Sequence, residues 1–161
     1  MKINLCHLLP TRVPILSGIA PVFILSSLLL EMPARASDRW ATLEAIHQLE
    51  NPRNTDEPGR FGELGAYQFR EGTWKKYTQA PFTRALDRHS SDAVVVKHYD
   101  WIKSELERRS IAVTPYNVAL AWNGGLGSAL DPQPSAGVRD YATRASNLAN
   151  ELEHHELADA R

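Results

Sequence analysis

The sequence predicts an all-α domain preceded by a secretory signal peptide. After position 36 the apolar residues recur mostly at helical spacing, and the strict alternation typical of a half-buried strand is absent. A length of 161 residues, with 43% apolar and 23% charged residues, is typical of a single soluble globular domain. The net charge of −1 provides no basic field, which disfavours a nucleic-acid partner.

The amino-terminal segment has the three parts of a signal peptide. A basic start is followed by an apolar run from Val13 to Leu30, and then by Ala34-Arg35-Ala36, the small-x-small pattern that signal peptidase requires. We therefore expect residues 1–36 to be removed and the mature chain, beginning at Ser37, to be secreted or periplasmic without stable membrane insertion. The alternative is an uncleaved membrane anchor, since about eighteen apolar residues can just span a bilayer.

The first half of the mature chain predicts two helices separated by a long loop. The first helix is expected to begin at Ser37 or Asp38, as its N-cap, and to end at Glu50, because a proline two residues later excludes the intervening residue from the helix. Asn51 to Phe69 is rich in proline, glycine, asparagine and aspartate, which predicts a long irregular loop. Loops of this length in compact domains are usually either functional or disordered. A short helix is expected over Gly72–Thr78.

Two more helices follow in the second half. A long helix is predicted from a cap at Ser90 or Ser91 to about residue 109. Thr114-Pro115 is a cap followed by proline at the first helical position, and that helix is expected to end at Gly124-Gly125.

The last helix completes a predicted domain of about five helices over residues 37–152. It follows a surface loop over Asp131 to Gly137. Its core positions recur at helical spacing: Tyr141, Ala145, Leu148 and Leu152. The polar tail, residues 153–161, is expected to be frayed.

Glu50 is the first candidate for chemistry. At 100° per residue it lies on the same helix face as Leu43 and His47, at the carboxyl-terminal end of the first predicted helix. The helix dipole and desolvation both raise the pKa of a carboxyl group in that position, so the group can hold its proton near neutral pH. General acids for glycoside cleavage are made in this way. The alternative is a helix-end glutamate that turns out to water.

The segment from Gly62 to Phe69 is the second candidate. Its glycines, including Gly65, allow the backbone to approach something closely, while Tyr67 and Gln68 offer an aromatic face and an amide. Amides and aromatic faces suit sugars, which present hydroxyl groups and an apolar C–H face. The alternative is a tight structural turn with buried aromatic side chains.

The predicted mature chain lacks the residues that a metal site, a disulfide or a cysteine nucleophile would need. His154-His155 lies in the tail without the spacing of a metal motif, so we expect no metal site. The one cysteine, Cys6, lies in the predicted signal peptide, so the mature domain has neither a disulfide nor a cysteine nucleophile. Taken alone, Asn123-Gly124-Gly125 is a helix C-cap with Trp122 in the core.

Together these pieces resemble the lysozyme-like domain of the soluble lytic transglycosylases. In that family a helix ends in the catalytic Glu, and a later loop carries Gly-Ala-x-Gly-Leu-Met-Gln, two variable residues and Pro-Gly-Thr. Here Glu50 is followed twelve residues later by Gly62. The positions that then fall in register are Gly65, Gln68, Gly72 and Thr73.

Two further motifs extend the resemblance over roughly Trp40 to Leu152. The run from Ala121 to Gly125 resembles the family's Ala-Tyr-Asn-Ala-Gly, and Tyr141 looks like its terminal-helix tyrosine. The chain departs from the family pattern at four places: Asn51 and Gly59 replace serines, Ala66-Tyr67 replaces Leu-Met, and Glu63 replaces an alanine.

The resemblance implies an enzyme that cleaves the β-1,4 bond between N-acetylmuramic acid and N-acetylglucosamine in peptidoglycan strands, without a cofactor. Glu50 would be the general acid and base, closing a 1,6-anhydro ring on the product. The residues expected to line the substrate groove are Gln68, Tyr67, Gly65, Asn123 and Tyr141, with Trp122 behind or beside them. Glu63 is either a solvated loop acid or the second carboxylate of a lysozyme-type hydrolase. A catalytically silent glycan-binding module is the remaining alternative.

Overall fold

The structure is a computed structural model that describes the backbone of residues 36–159 and the side chains of residues 39–159. The predicted signal peptide, residues 1–36, lies almost entirely outside these residues. The described chain is helical and contains no strand, so the all-α prediction is confirmed. Its elements are α1 (Ala36–Glu50), α2 (Glu71–Tyr77), a 3-10 helix (Phe82–Leu86), α3 (Arg88–Glu107), α4 (Pro115–Gly124), α5 (Leu126–Leu130) and α6 (Ala136–Asp159).

Local capping rules place several helix ends correctly. Helix α1 ends at Glu50, as predicted. The Thr114 hydroxyl accepts a hydrogen bond from the Asn117 backbone N–H at 3.2 Å, and Pro115 is the first residue of α4. Helix α4 ends where Gly125 takes a φ of 76°, a conformation that glycine adopts without strain.

The start of α3 differs from the prediction. Asp87, rather than Ser90 or Ser91, is the N-cap, and its carboxylate accepts a hydrogen bond from the Ser90 backbone N–H at 2.9 Å. Ser91 lies inside the helix, where its buried hydroxyl donates to the carbonyl oxygen of Ala85 at 2.6 Å. The serine therefore ties α3 to the 3-10 helix instead of beginning α3.

Two other predictions need correction. Residues 153–159, expected to be a frayed tail, continue α6 as regular helix with mostly exposed side chains. The 3-10 helix and α5 were not predicted, because five residues are too few to show a helical period. Of the residues that the structure describes, none belongs to a helix long and apolar enough to cross a membrane.

The core has a small-residue part and a large-residue part. Alanines fill the contacts of α6 with α1 and α4, where Ala45, Ala119, Ala142 and Ala149 are fully buried. Small side chains allow helix axes to approach closely, so α1, α4 and α6 form a compact three-helix unit. The larger side chains pack between the loop, α2 and α3, and the fully buried ones there include Trp74, Ile102 and Leu106.

The long loop between α1 and α2 is tied down by its own backbone. Leu64 and Phe69 exchange two backbone hydrogen bonds of 3.0 and 2.9 Å and form an isolated antiparallel bridge. Between them Gly65 has a φ of 79°, and a Cβ atom there would lie 1.7 Å from the carbonyl oxygen of Ala85. The close approach expected at Gly65 is thus made to the protein's own 3-10 helix, and the prediction that Gly65 lines a groove is wrong.

We predict that Gly65→Ala lowers the free energy of unfolding by more than about 3 kcal/mol, or prevents stable folding, because the added methyl group has no space and the φ is unfavourable. Gly62→Ala provides a matched comparison, since Gly62 has a φ of 81° but open space around it, and should cost about 1–2 kcal/mol. Gly72→Ala, in open space on α2, should change stability by less than about 1 kcal/mol. Urea denaturation measures all three. Equal costs at Gly65 and Gly62 would show that the Ala85 contact is not the constraint.

Candidate active site

An open groove of about 610 Å³ brings together the end of α1, the loop and the end of α4. This volume is in the range of small-molecule and saccharide pockets. Glu50 contributes from α1, residues 59–70 from the loop, and Trp122 and Asn123 from α4. His98, on α3, also lines the groove. Residues from four segments that are distant in the sequence therefore share one concave surface.

Glu50 is half-buried in this groove and held by one strong hydrogen bond. The Tyr141 hydroxyl, on α6, donates to Glu50 Oε1 at 2.7 Å. Burial raises the pKa of Glu50 above its ordinary value, and the nearby Glu63 carboxylate adds to the rise. The donors Tyr141 and Trp122 lower the pKa in part, but burial outweighs them. Glu50 therefore keeps its proton to a higher pH than an exposed glutamate.

Tyr141 positions Glu50 but does not line the groove. The residue is 7% exposed, so it lies behind Glu50 and not in the lining of the groove, where we expected it. Burial, with Glu50 next to it, raises the pKa of Tyr141 far above the ordinary range. Because the hydroxyl keeps its proton, it remains a donor to Glu50 at every physiological pH.

Tyr67 also points away from the groove, and the predicted stacking on a sugar is wrong. The residue is 3% exposed, and its hydroxyl donates to Asp92 Oδ1 at 2.7 Å and accepts from Arg88 at 3.2 Å. Its ring packs against His47 and Phe69, with ring centroids 5.9 and 6.0 Å apart. The alternative, a tight turn with buried aromatic side chains, describes this segment.

Gln68, Asn123 and Trp122 do line the groove, as predicted. Gln68 has a left-handed φ of 47°, and its side-chain amide donates to the Gly65 carbonyl at 3.1 Å. That bond fixes the side chain and leaves the amide oxygen available. Asn123 is exposed at the last turn of α4, and the partly buried Trp122 ring packs on Phe69 at 5.7 Å. The groove therefore offers two amides and an indole.

Glu63 is a carboxylate in the groove, held by the loop around it. Its side chain is 13% exposed. Oε1 pairs with Arg70 at 3.1 Å, and Oε2 accepts from the Phe61 backbone N–H at 2.8 Å. Burial opposes ionisation, but the backbone donors of Phe61 and Glu63 and the Arg70 side chain outweigh it and lower the pKa of Glu63. The groove thus holds two carboxyl groups whose pKa values shift in opposite directions.

Sequence reasoning missed several residues of the groove, among them Arg60, Phe61, Arg70 and His98. Arg60 and Phe61 directly precede Gly62, and their position in the glycine-rich loop was the available signal. His98 lies on α3. Burial, with Lys76 nearby, lowers its pKa to about 4, so the ring is neutral at physiological pH, and Nδ1 bonds the Tyr77 hydroxyl at 2.9 Å.

Comparisons of the chain with protein-family models, with curated proteins and with solved structures found no match. Within residues 39–159, no group of three histidine, cysteine, aspartate or glutamate side chains could hold a metal ion. The assignment of a function therefore depends on the geometry and charge of the groove.

We predict that Glu50→Gln becomes more stable than the wild type as the pH rises. A carboxyl whose pKa is higher in the folded than in the unfolded state contributes stability below its unfolded pKa, and this contribution is lost as the pH rises through the folded pKa. The difference in unfolding free energy should grow by up to about 1.4 kcal/mol per pH unit between those two pKa values and be constant outside them. Urea denaturation across the acidic to neutral range measures it.

The control is Glu57→Gln, which removes an exposed carboxylate of the same loop. It should change the unfolding free energy by less than about 0.5 kcal/mol. A difference between Glu50→Gln and the wild type that does not vary with pH would contradict the raised pKa.

Proposed function

We propose that the protein is a peptidoglycan-cleaving enzyme of the lytic transglycosylase type, with Glu50 as general acid and base in a lysozyme-like domain. Its substrate is the β-1,4 bond between N-acetylmuramic acid and N-acetylglucosamine. The observation that carries the proposal is a half-buried carboxyl group with a raised pKa, held by Tyr141 in a groove that also offers amide and indole groups. The order of the sequence motifs around Glu50 supports the same family.

In the proposed reaction Glu50 first acts as an acid. The protonated carboxyl group carries one O–H donor while its oxygens still accept the Tyr141 hydrogen bond. That proton passes to the glycosidic oxygen as the bond to the anomeric carbon breaks. The resulting carboxylate is stabilised by Tyr141 and by the Trp122 indole, both of which favour the charged form.

Glu50 then acts as a base and is regenerated. The carboxylate takes the proton of the muramyl 6-hydroxyl, whose oxygen attacks the anomeric carbon and closes a 1,6-anhydro ring. No metal or organic cofactor is needed for either step. The amides of Gln68 and Asn123, which line the groove, would hold acetamido and hydroxyl groups of the strand.

The proposal includes export. Peptidoglycan lies outside the cytoplasmic membrane, and residues 1–36 have the order of charge, apolar run and small-x-small site that directs secretion. The mature enzyme would be secreted or periplasmic.

Glu63 supports a second candidate, a lysozyme-type hydrolase. When the pKa of one carboxyl group is raised and that of its neighbour is lowered, the first can act as a general acid while the second stays ionised. In this route Glu63 activates water, which attacks the anomeric carbon and leaves a free reducing end. Its ion pair with Arg70 and its bond from Phe61 keep Glu63 ionised but also give it a structural role in the loop.

We predict that Glu50→Gln folds normally and loses cleavage of purified sacculi by at least about a hundredfold, because an amide keeps the shape of the side chain but cannot donate the proton. Release of soluble fragments, followed by turbidity and mass spectrometry, measures the rate. Glu57→Gln is the matched control and should keep wild-type activity. Near-full activity in a folded Glu50→Gln protein would show that Glu50 is not the acid.

The chemical ends of the products separate the two candidates. In the transglycosylase route, wild-type products carry 1,6-anhydro ends and Glu63→Gln keeps most of the activity. Glutamine at position 63 can still accept the Phe61 hydrogen bond, so the variant tests the charge with little disturbance of the loop. Free reducing ends, together with loss of activity in Glu63→Gln, would identify the hydrolase.

A further inference from the structure

The rim of the groove exposes a large aromatic side chain between two arginines. Phe61 is 69% exposed, the most of the large apolar side chains among the described residues. The guanidinium carbons of Arg60 and Arg70 lie over its ring, 5.4 and 5.3 Å from the centroid. All three residues line the groove that contains Glu50. We call Arg60, Phe61 and Arg70 the rim patch.

The rim patch is held in place by the backbone. The Gly59 N–H donates to the Glu63 carbonyl at 2.8 Å and the Gly62 N–H donates to the Gly59 carbonyl at 3.0 Å, which closes a tight turn around residues 59–63. The Phe61 N–H is fixed on the Glu63 carboxylate. A large apolar side chain is thus displayed to water on a rigid turn, although burying such a side chain would be favourable.

The two arginines differ in their charge environment. Arg70 is paired with Glu63 at 3.1 Å, whereas Arg60 takes part in none of the ion pairs formed among the described residues. Arg60 is also exposed. Its guanidinium is therefore a positive charge at the groove that is available to an incoming anion, and its planar fork can pair with both oxygens of a carboxylate.

We propose that the rim patch is a subsite for a carboxylate-bearing sugar: the Phe61 ring contacts the apolar face of the pyranose while Arg60 pairs with the carboxylate. This inference rests on the proposed function. On a peptidoglycan strand the muramic acid residues can supply that carboxylate from two sources, the lactyl group itself or the peptide attached to it. The patch then distinguishes peptidoglycan from a neutral β-1,4-linked N-acetylglucosamine polymer.

The experiment measures binding by the full-length protein carrying Glu50→Gln, so that no ligand is cleaved. Three ligands are compared: a neutral N-acetylglucosamine hexamer, peptidoglycan strands stripped of peptides, which carry free lactyl carboxylates, and strands that keep their peptides. Arg60→Gln and Phe61→Ala are added in turn. Arg53→Gln is the matched control, because Arg53 is an exposed arginine of the same loop that does not line the groove.

We expect Arg60→Gln to weaken binding of carboxylate-bearing strands about threefold to tenfold and to leave the neutral hexamer within about twofold. Loss confined to stripped strands identifies the lactyl carboxylate, and loss confined to peptide-bearing strands identifies the peptide. Phe61→Ala should weaken all three ligands, since the C–H face is common to them. Ionic strength near 1 M should remove the effect of Arg60→Gln but not that of Phe61→Ala.

Two results would overturn this inference without overturning the proposed function. One is an equal loss of binding of all three ligands in Arg60→Gln, and the other is no loss of binding of any ligand. Either would leave the proposed function standing if the wild type cleaves sacculi. Absence of binding to all three ligands, with no cleavage by the wild type, would overturn the proposed function and the subsite together.

Discussion

Asn51 joins the end of α1 to the loop that forms the groove, and the arrangement of the site depends on it. Its buried side-chain amide donates to the carbonyl oxygens of Thr55 at 2.9 Å and Gly65 at 3.3 Å, while its Oδ1 accepts from the Thr55 backbone N–H at 3.0 Å. One amide thus satisfies backbone groups at both ends of the loop. Because Asn51 directly follows Glu50, the same contacts fix the candidate acid relative to the loop residues across the groove.

A polar network supports the loop from the side opposite the groove. Arg88 donates to Asp92 at 2.7 Å and to the Tyr67 hydroxyl at 3.2 Å, and its guanidinium lies about 3.0 Å from the His47 ring nitrogen. His47 is also within 3.2 Å of Glu44. Tyr67 and His47 are buried, so leaving either of these polar groups unpaired would cost free energy, whereas Arg88 and Asp92 are partly exposed. The network turns Tyr67 inward and leaves the groove to its neighbours.

The two carboxyl groups of the groove show how environment divides the roles of chemically similar residues. Glu50 accepts hydrogen bonds from Tyr141 and Trp122, but burial outweighs both donors and its pKa rises. Glu63 sits on two backbone N–H groups and a guanidinium, so hydrogen bonding dominates and its pKa falls. The difference arises from the donors supplied by the turn at residues 59–63, not from the carboxyl groups themselves.

Local rules in the sequence determined the helices with clear caps, and with them the place of Glu50 at the end of α1. A proline, a threonine cap or a glycine acts through its own backbone, so such signals can be read without the rest of the fold. The helical spacing of the apolar residues likewise predicted the all-α class.

Tertiary structure alone decided the directions of the loop side chains and the partner of Glu50. Tyr141 is 91 residues from Glu50, and its inward position depends on the packing of α6 against α1 and α4. Tyr67 and Phe61 are both aromatic loop residues, yet the first is buried and the second is exposed. These directions are set by long-range contacts and by individual φ angles, which no residue period encodes.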